Sequence, residues 1–351
     1  MRFNRISAVA GFLACISTTA VQAVSNPNFA GSNLYYAAGL TSAQQVTLFS
    51  NLKDAGVKVL RVWLDGQSGS PKNTPINAFP GLEGTSGPGN YDDTVLERLD
   101  DVMVTAHSYG IKLHISIHSF NALQRNADFY GTWYGTGYFY TDANAQAYFK
   151  NRIAHVLAHA QNEASNSDEA FLRAHMPAWQ CTMAQAIKDN LGSGKSDILV
   201  ATGGGGWVDV SVLDGYMSCA AIDVIGIHAY GNGDLTAAKL QPKVARAQQA
   251  GKKLVMQEWG VCYYSTQKNQ ECNGGTAAGD AARGQNIQTW AAQINQAGIP
   301  AWYWMVIPNN DPHGSEDFEV GVTESIWGTL KRTMQSAKTY EGAFDFSRWL
   351  L

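Results

Sequence analysis

Apolar residues recur along this chain in two alternating rhythms. From Thr41 to Ala55, Val46, Phe49 and Leu52 share one helical face, Thr41 and Gln44 form a capping box, and Gly56 stops the helix. Val57 to Trp63 follows as a strand. Tyr91 to Tyr109 repeats the helical rhythm, with Val95, Leu99, Val102 and Ala106 inward and Gly110 as the stop, and Ile111 to His118 is the strand behind it. Pro242 to Ala250, Gly251 and Leu254 to Glu258 make a third copy. Asn286 to Ala297, Gly298 and Pro300 to Met305 make a fourth. Helix, glycine and buried strand in repetition predict a parallel α/β fold.

Three further strands fit the gaps: Asn28 to Tyr36, Asp197 to Thr202, and Asp223 to His228. That makes about seven, and one more would close a barrel. A doubly wound nucleotide-binding sheet is the rival, but Tyr35, Tyr36, Ala37 and Ala38 stand where its glycine-rich turn belongs. The run Gly203 to Gly206 is not followed by Lys-Ser/Thr and is no phosphate loop. Two long loops leave the strand ends, Asp65 to Asn90 and Asn121 to Thr141. The second carries Phe129, Tyr130, Trp133, Tyr134, Tyr138, Phe139 and Tyr140, which suit either a local mini-core or sugar-stacking platforms.

The N-terminus departs from both rhythms. Arg2 and Arg5 precede an apolar stretch from Ala8 to Ile16, and Val21-Gln22-Ala23 ends in small residues. This is the pattern of a secretory signal peptide over 1–23, too short to span a bilayer. A single barrel domain is then expected over 24–351. The chain of 351 residues has a formal net charge of −4 and only 15% charged residues. It has no basic block, so neither nucleic acid nor membrane is an expected partner. Low charge with 11% aromatic residues suits a neutral, hydroxyl-rich ligand. Outside the leader, Cys181, Cys219, Cys262 and Cys272 remain, an even number read as two disulfides in a secreted chain. Proximity favours Cys262–Cys272, leaving Cys181–Cys219. Paired C-x-x-C spacing is missing, which argues against zinc.

Chemistry collects at the strand ends. The second strand offers Arg61, and the third offers His118 with His114 and Ser116 on the same face. Later strands offer His228 and Tyr230, then Glu258, then Trp304 with Trp302 two residues before it. A lone histidine is ordinarily structural. Five strands placing such groups at one end is hard to explain by packing, and the C-terminal end of barrel strands is where catalysis sits. Retaining glycoside hydrolysis needs a nucleophilic carboxylate and an acid/base carboxylate about 5 Å apart. Glu258 suits the first role, with Arg61 and Tyr230 holding it ionised and oriented. Glu163, in Gln161-Asn162-Glu163-Ala164, suits the second, with Asn162 as a donor to a sugar hydroxyl. Asp168 and Glu169 read as solvated residues opening the next helix.

The ordered set Arg61, His118, Asn162-Glu163, His228-x-Tyr230, Glu258 and Trp304 resembles glycoside hydrolase family 5, in the clan of (β/α)8 retaining glycosidases. Within it, Gly31 to Tyr36, Leu60 to Trp63 and Gly110 to Leu113 are similar to secreted fungal endo-β-1,4-mannanases. The resemblance implies a (β/α)8 barrel, Glu163 as acid/base and Glu258 as nucleophile. It implies that Arg61, His118, Asn162, His228 and Tyr230 position these groups and the sugar, with Trp304 as the sugar platform. The expectation is a secreted monomer cleaving internal β-1,4 links of a polysaccharide, mannan first, with no metal or cofactor required. β-Glucan and galactan are the alternative substrates.

One stretch breaks the pattern. Asn144 to His159 reads as a helix, yet Asn162-Glu163 follows at once. A barrel needs a loop and a strand of about five residues between them. Either His155 to Ala160 serves as the fourth strand, or that strand is shortened or missing. A missing strand implies a displaced Glu163 and a catalytically impaired, carbohydrate-binding barrel.

Overall fold

The computed structural model describes residues 24–83, 87–159, 172–231, 233–264, 272, 275–314 and 317–351. The leader predicted over 1–23 and the Asn162-Glu163 pair lie outside the described residues.

Six parallel strands form one curled sheet: β1 (Ala30–Asn33), β2 (Val57–Trp63), β3 (Lys112–Ser116), β4 (Val224–His228), β5 (Lys253–Trp259) and β6 (Ala301–Tyr303). Their order is β3-β2-β1-β6-β5-β4, so the first and last strands of this sheet in chain order lie side by side. Two short strands, β7 (Val306–Ile307) and β8 (Val320–Gly321), pair parallel above β6. The helices are α1 (Ser42–Asp54), α2 (Thr94–Ser108), the short α3 (Phe120–Gln124) and α4 (Phe129–Tyr138), and α5 (Ala143–His159). Then come α6 (Leu172–Leu191), the short α7 (Val208–Ser211) and α8 (Asp214–Met217), α9 (Ala237–Gln249), α10 (Asp280–Gln296) and α11 (Trp327–Ser336).

The local reasons are those of the sequence pattern. Thr41 caps α1 with the expected box, its side chain taking the Gln44 N–H while Gln44 reaches back to the Thr41 N–H. Leu48, Phe49 and Leu52 are buried by α1. Val46, expected on that face, is 51% exposed. Helix α9 begins at Ala237, before the Pro242 expected to open it, because Thr236 caps it through the Lys239 N–H. The strands are buried on both faces, as parallel strands covered by helices must be. At Gly31 an added Cβ would lie 2.1 Å from the Trp302 ring, so only glycine lets β1 pass the large residue of its neighbour β6. The predicted disulfides are both formed, Cys181–Cys219 and Cys262–Cys272.

The curled sheet is that of a (β/α)8 barrel whose fourth strand is missing among the described residues. Helix α5 continues to His159, so His155 to His159 is helical and does not serve as a strand. The expected strand near residue 200 shrinks to a bridge, Ala201 with Val224, supported by Thr202 N–H to Val224 O at 3.0 Å. Between β3 and this bridge the described sheet is open. Arg152 of α5 closes part of the edge by donating Nε and Nη2 to Ile117 O, at 3.2 and 2.8 Å, and it pairs with the buried Glu83. A guanidinium here does what the next strand's N–H groups would do, because a buried carbonyl needs a donor. Below the gap lies a cavity of about 240 Å3, lined by His114, Leu199, Ala201, Val224 and Trp349 among others.

The aromatic loop takes the first of its two expected forms, a mini-core shared with α5 and α6. Tyr130, Phe139, Tyr140, Phe149 and Trp179 pack as a buried mini-core with ring centroids 4.9 to 5.6 Å apart. Trp133 and Tyr138 remain 68% and 72% exposed.

Candidate active site

Strand β5 ends in two successive side chains that both enter the barrel. In regular strands neighbours point to opposite faces, but pairing with β4 slips between Ile227 and His228, and a bulge re-aims a side chain. Asn33 of β1 braces this point, donating to Gln257 O at 3.1 Å and Tyr303 O at 3.2 Å. Glu258 therefore reaches the mouth of the barrel, and Gln257 reaches its axis.

Glu258 is held by two donors. Arg61 Nη1 lies 2.6 Å from Oε1, and the Tyr230 hydroxyl donates to Oε2 at 2.9 Å. Arg61 is itself fixed, its Nε donating to Ser116 Oγ at 2.8 Å and its guanidinium lying 4.2 Å from the Trp63 ring centre. A buried, always-charged fork gives the carboxylate both orientation and compensation. Burial lowers the pKa of Arg61, and Glu258 is the largest influence opposing that shift. Burial, then the Glu258 charge, pushes Tyr230 well above the ordinary phenol value, so its proton stays on. The Glu258 side chain keeps 13% exposure, enough for a ligand to reach it.

His228 shows how the axis supports the rim. Its Nε2 meets Gln257 Oε1 at 2.9 Å, and Gly204 N–H donates to that same oxygen at 3.2 Å. A backbone N–H can only donate, so the oxygen is the acceptor and His228 carries its proton on Nε2. Burial lowers its pKa, the largest influence on it, which keeps the ring neutral. Its Nδ1, 3.5 Å from Glu258 Oε2, then offers a lone pair and no donor. The Gln257 Nε2 group approaches His114 Nε2 at 3.3 Å and Thr202 O at 3.4 Å. Burial pushes His114 down to about 3, so it accepts as a neutral base. The glycine run also finds its reason here. A Cβ on Gly204 would lie 2.1 Å from the His228 ring.

Of the residues expected from the sequence, Arg61, His228 and Tyr230 converge on Glu258. Trp304 lines the same mouth, stacked on Tyr35 with centroids 6.2 Å apart and edge-on to Trp63 at 5.7 Å. His118 is placed elsewhere. Its Nε2 pairs with Asp128 at 2.5 Å, and its ring is sealed among Tyr130, Phe139 and Phe149. Trp302 points down the barrel toward His114. Gln257 is the residue that sequence reasoning passed over. A polar side chain before the strand-end glutamate, inside an otherwise apolar strand, is the signal it offered.

Comparison with known proteins agrees with this fold. The family model for cellulase, glycosyl hydrolase family 5, matches residues 19–310. The chain is 32% identical over 143 residues to mannan endo-1,4-beta-mannosidase A of Aspergillus aculeatus, covering 39% of this chain and 37% of that one. The enzyme of the same name from Podospora anserina is 30% identical over 144 residues, covering 38% and 37%. The aligned part thus spans a little over a third of these curated relatives. Among solved structures, the endo-beta-1,4-mannanase of Thermotoga petrophila superposes with a TM-score of 0.64 at 19% identity, covering 90% of this chain and 78% of that one. The endo-1,4-beta-mannanase of Rhizomucor miehei gives 0.63 at 18%, covering 90% and 98%. At these identities the structures speak for the barrel fold alone, and the family model speaks for kinship. The chain belongs to glycosyl hydrolase family 5.

Proposed function

We propose that this chain is a secreted retaining glycosidase acting on internal β-1,4 links of mannan, with Glu258 as nucleophile and Glu163 as acid/base. The observation that carries this reading is Glu258, a part-exposed carboxylate at a barrel strand end, held between Arg61 and Tyr230. Mannan is favoured because curated relatives that share about a third of their length are named mannan endo-1,4-beta-mannosidases. In this reading Glu163 protonates the leaving oxygen while Glu258 attacks the anomeric carbon. Water, deprotonated by Glu163, then releases the sugar with retained configuration. Arg61 and Tyr230 hold Glu258 in place for its attack, and Trp304 offers a flat apolar face to the sugar. Secretion is supported by the leader-like start and by two disulfides, which persist in oxidising compartments.

The test is release of reducing ends from mannan, β-glucan and galactan by the full chain beside Glu258→Gln and Glu163→Gln. Turnover of mannan by wild type and its loss in both variants is expected. Equal activity of wild type and Glu258→Gln would sink the mechanism. The second reading, a carbohydrate-binding barrel without turnover, is favoured by the helical His155 to His159 and the open sheet beside β3. It is distinguished by saturable mannan-oligosaccharide binding with no product.

A further inference from the structure

Above the barrel mouth, the loop between β7 and β8 gathers Asp311, His313 and Asp317. They take no part in the hydrogen bonds of Glu258. His313 Nδ1 lies 3.3 Å from Asp311 Oδ2 and 3.1 Å from Asp317 Oδ2. One ligand atom from each residue lies within 4.8 Å of the other two. Both aspartate side chains are fully buried, whereas His313 is 28% exposed. Each aspartate also has a buried second oxygen, Oδ1, that no described donor meets, and the two carboxyl groups lie within hydrogen-bond reach of each other. An orphaned carboxylate oxygen in a dry place is costly unless a proton or a cation meets it.

Among the described residues, the nearby cations are occupied. Lys72 pairs with the neighbouring Glu319 at 2.8 Å. Arg283 attracts Asp317 but donates Nε and Nη2 to the carbonyls of Val261 and Glu319. Glu324, a further carboxylate, accepts the Asp311 N–H at 2.6 Å. The described carboxylates here, Asp311, Asp317, Glu319 and Glu324, thus outnumber Lys72 and Arg283. The other such grouping, Asp65 with His118 and Asp128, differs because backbone N–H groups meet its carboxylates, Ser119 to Asp65 at 3.3 Å and Gly131 to Asp128 at 2.8 Å.

We propose that Asp311, His313 and Asp317 form a binding site for one divalent cation of the zinc class. A tetrahedral ion with metal–ligand bonds of about 2.0 to 2.1 Å has ligand–ligand edges of roughly 3.3 Å. The two nitrogen–oxygen separations fall close to that length. An imidazole nitrogen with two carboxylates suits zinc, whereas calcium takes oxygen ligands only. The imidazole is already oriented. Its ring stacks on Tyr263 at 3.6 Å, and Tyr264 donates its hydroxyl to His313 O. The bound ion would brace the loop carrying Phe318, whose ring lies 4.7 Å from that of Tyr230 and whose neighbour Asp317 accepts the Tyr263 N–H. Its role is structural and needs no turnover by the barrel.

The experiment uses the full chain stripped with a chelator, then Zn2+, Mn2+ or Ca2+ followed by calorimetric titration and Tm. Zn2+ binding at one per chain, with a rise in Tm of about 5 °C, is expected. His313→Gln, at a half-exposed position, weakens that binding at least tenfold and removes the rise. Asp317→Asn does the same where it folds. The proposal is overturned if Zn2+ at millimolar concentration neither binds nor shifts Tm, if the shift is equal in His313→Gln, or if only Ca2+ responds. It is also overturned if Asp317→Asn raises Tm without metal while wild type ignores Zn2+, since the aspartates then share a proton. None of these readouts depends on glycosidase activity.

Discussion

Arg61 Nη1 and Glu258 Oε1 lie 2.6 Å apart, with the arginine side chain 2% exposed and the glutamate 13%. Removing one partner of a buried pair leaves the other charge uncompensated. Arg61→Met is therefore expected to lower unfolding free energy by about 3 kcal/mol in urea melts. Arg61→Lys restores less than half, because an ammonium cannot serve Ser116 and Glu258 with a planar fork. An unchanged midpoint in Arg61→Met would show that the pair contributes nothing to the fold.

Tyr230→Phe removes a hydroxyl that donates to Glu258 and leaves the ring on Phe318. A hydrogen bond to a charged acceptor contributes about 1.5 to 3 kcal/mol. On whichever polysaccharide the chain cleaves, kcat/KM falls about 10- to 100-fold. A wild-type rate in this variant would remove Tyr230 from the mechanism.

His114 gives the fold an acid-sensitive element. Its pKa is about 3 folded, against an ordinary value of 6.5, with burial as the main cause and the Arg61 charge next. Between these values the unfolded chain binds more protons. This contribution to stability is whole above pH 6.5 and is lost as pH falls toward 3. The slope is about 1.4 kcal/mol per pH unit. His114→Gln keeps an acceptor for Gln257 and cannot titrate. Its stability is expected to fall less steeply than that of wild type between pH 6 and 4, as read by urea melts at each pH. Parallel curves would refute the assignment.

The two disulfides enclose loops of different length, 38 and 10 residues in separation. In the chain-entropy picture, Cys181→Ser with Cys219→Ser costs about 4 kcal/mol, and Cys262→Ser with Cys272→Ser about 3 kcal/mol. Thermal melts of the two double variants should show the larger loss for the longer loop. The reverse order would point to packing around Cys262 and Cys272 as the main contribution of that bridge.

Much of this site was legible along the chain. Arg61, His228, Tyr230 and Glu258 were readable because parallel strands place their last residues at one rim, whatever their separation in sequence. The cysteine pairing followed from proximity and number. Gln257 was not legible, because regular alternation turns it away from the barrel and only the bulge beside His228 brings it in. His118 looked like its strand-end companions, yet Asp128 on a neighbouring loop captured it. Asp311, His313 and Asp317 showed no strand or helix rhythm to interpret. The sequence by itself determined the repeated helix–strand units, the identity of the rim residues and the shortfall before Asn162. Tertiary structure decided how that shortfall is absorbed, with Arg152 donating to the open β3 edge and α5 helical through His159. Periodicity reports which face of an element is buried, but buried polar atoms find partners from whatever element happens to be near.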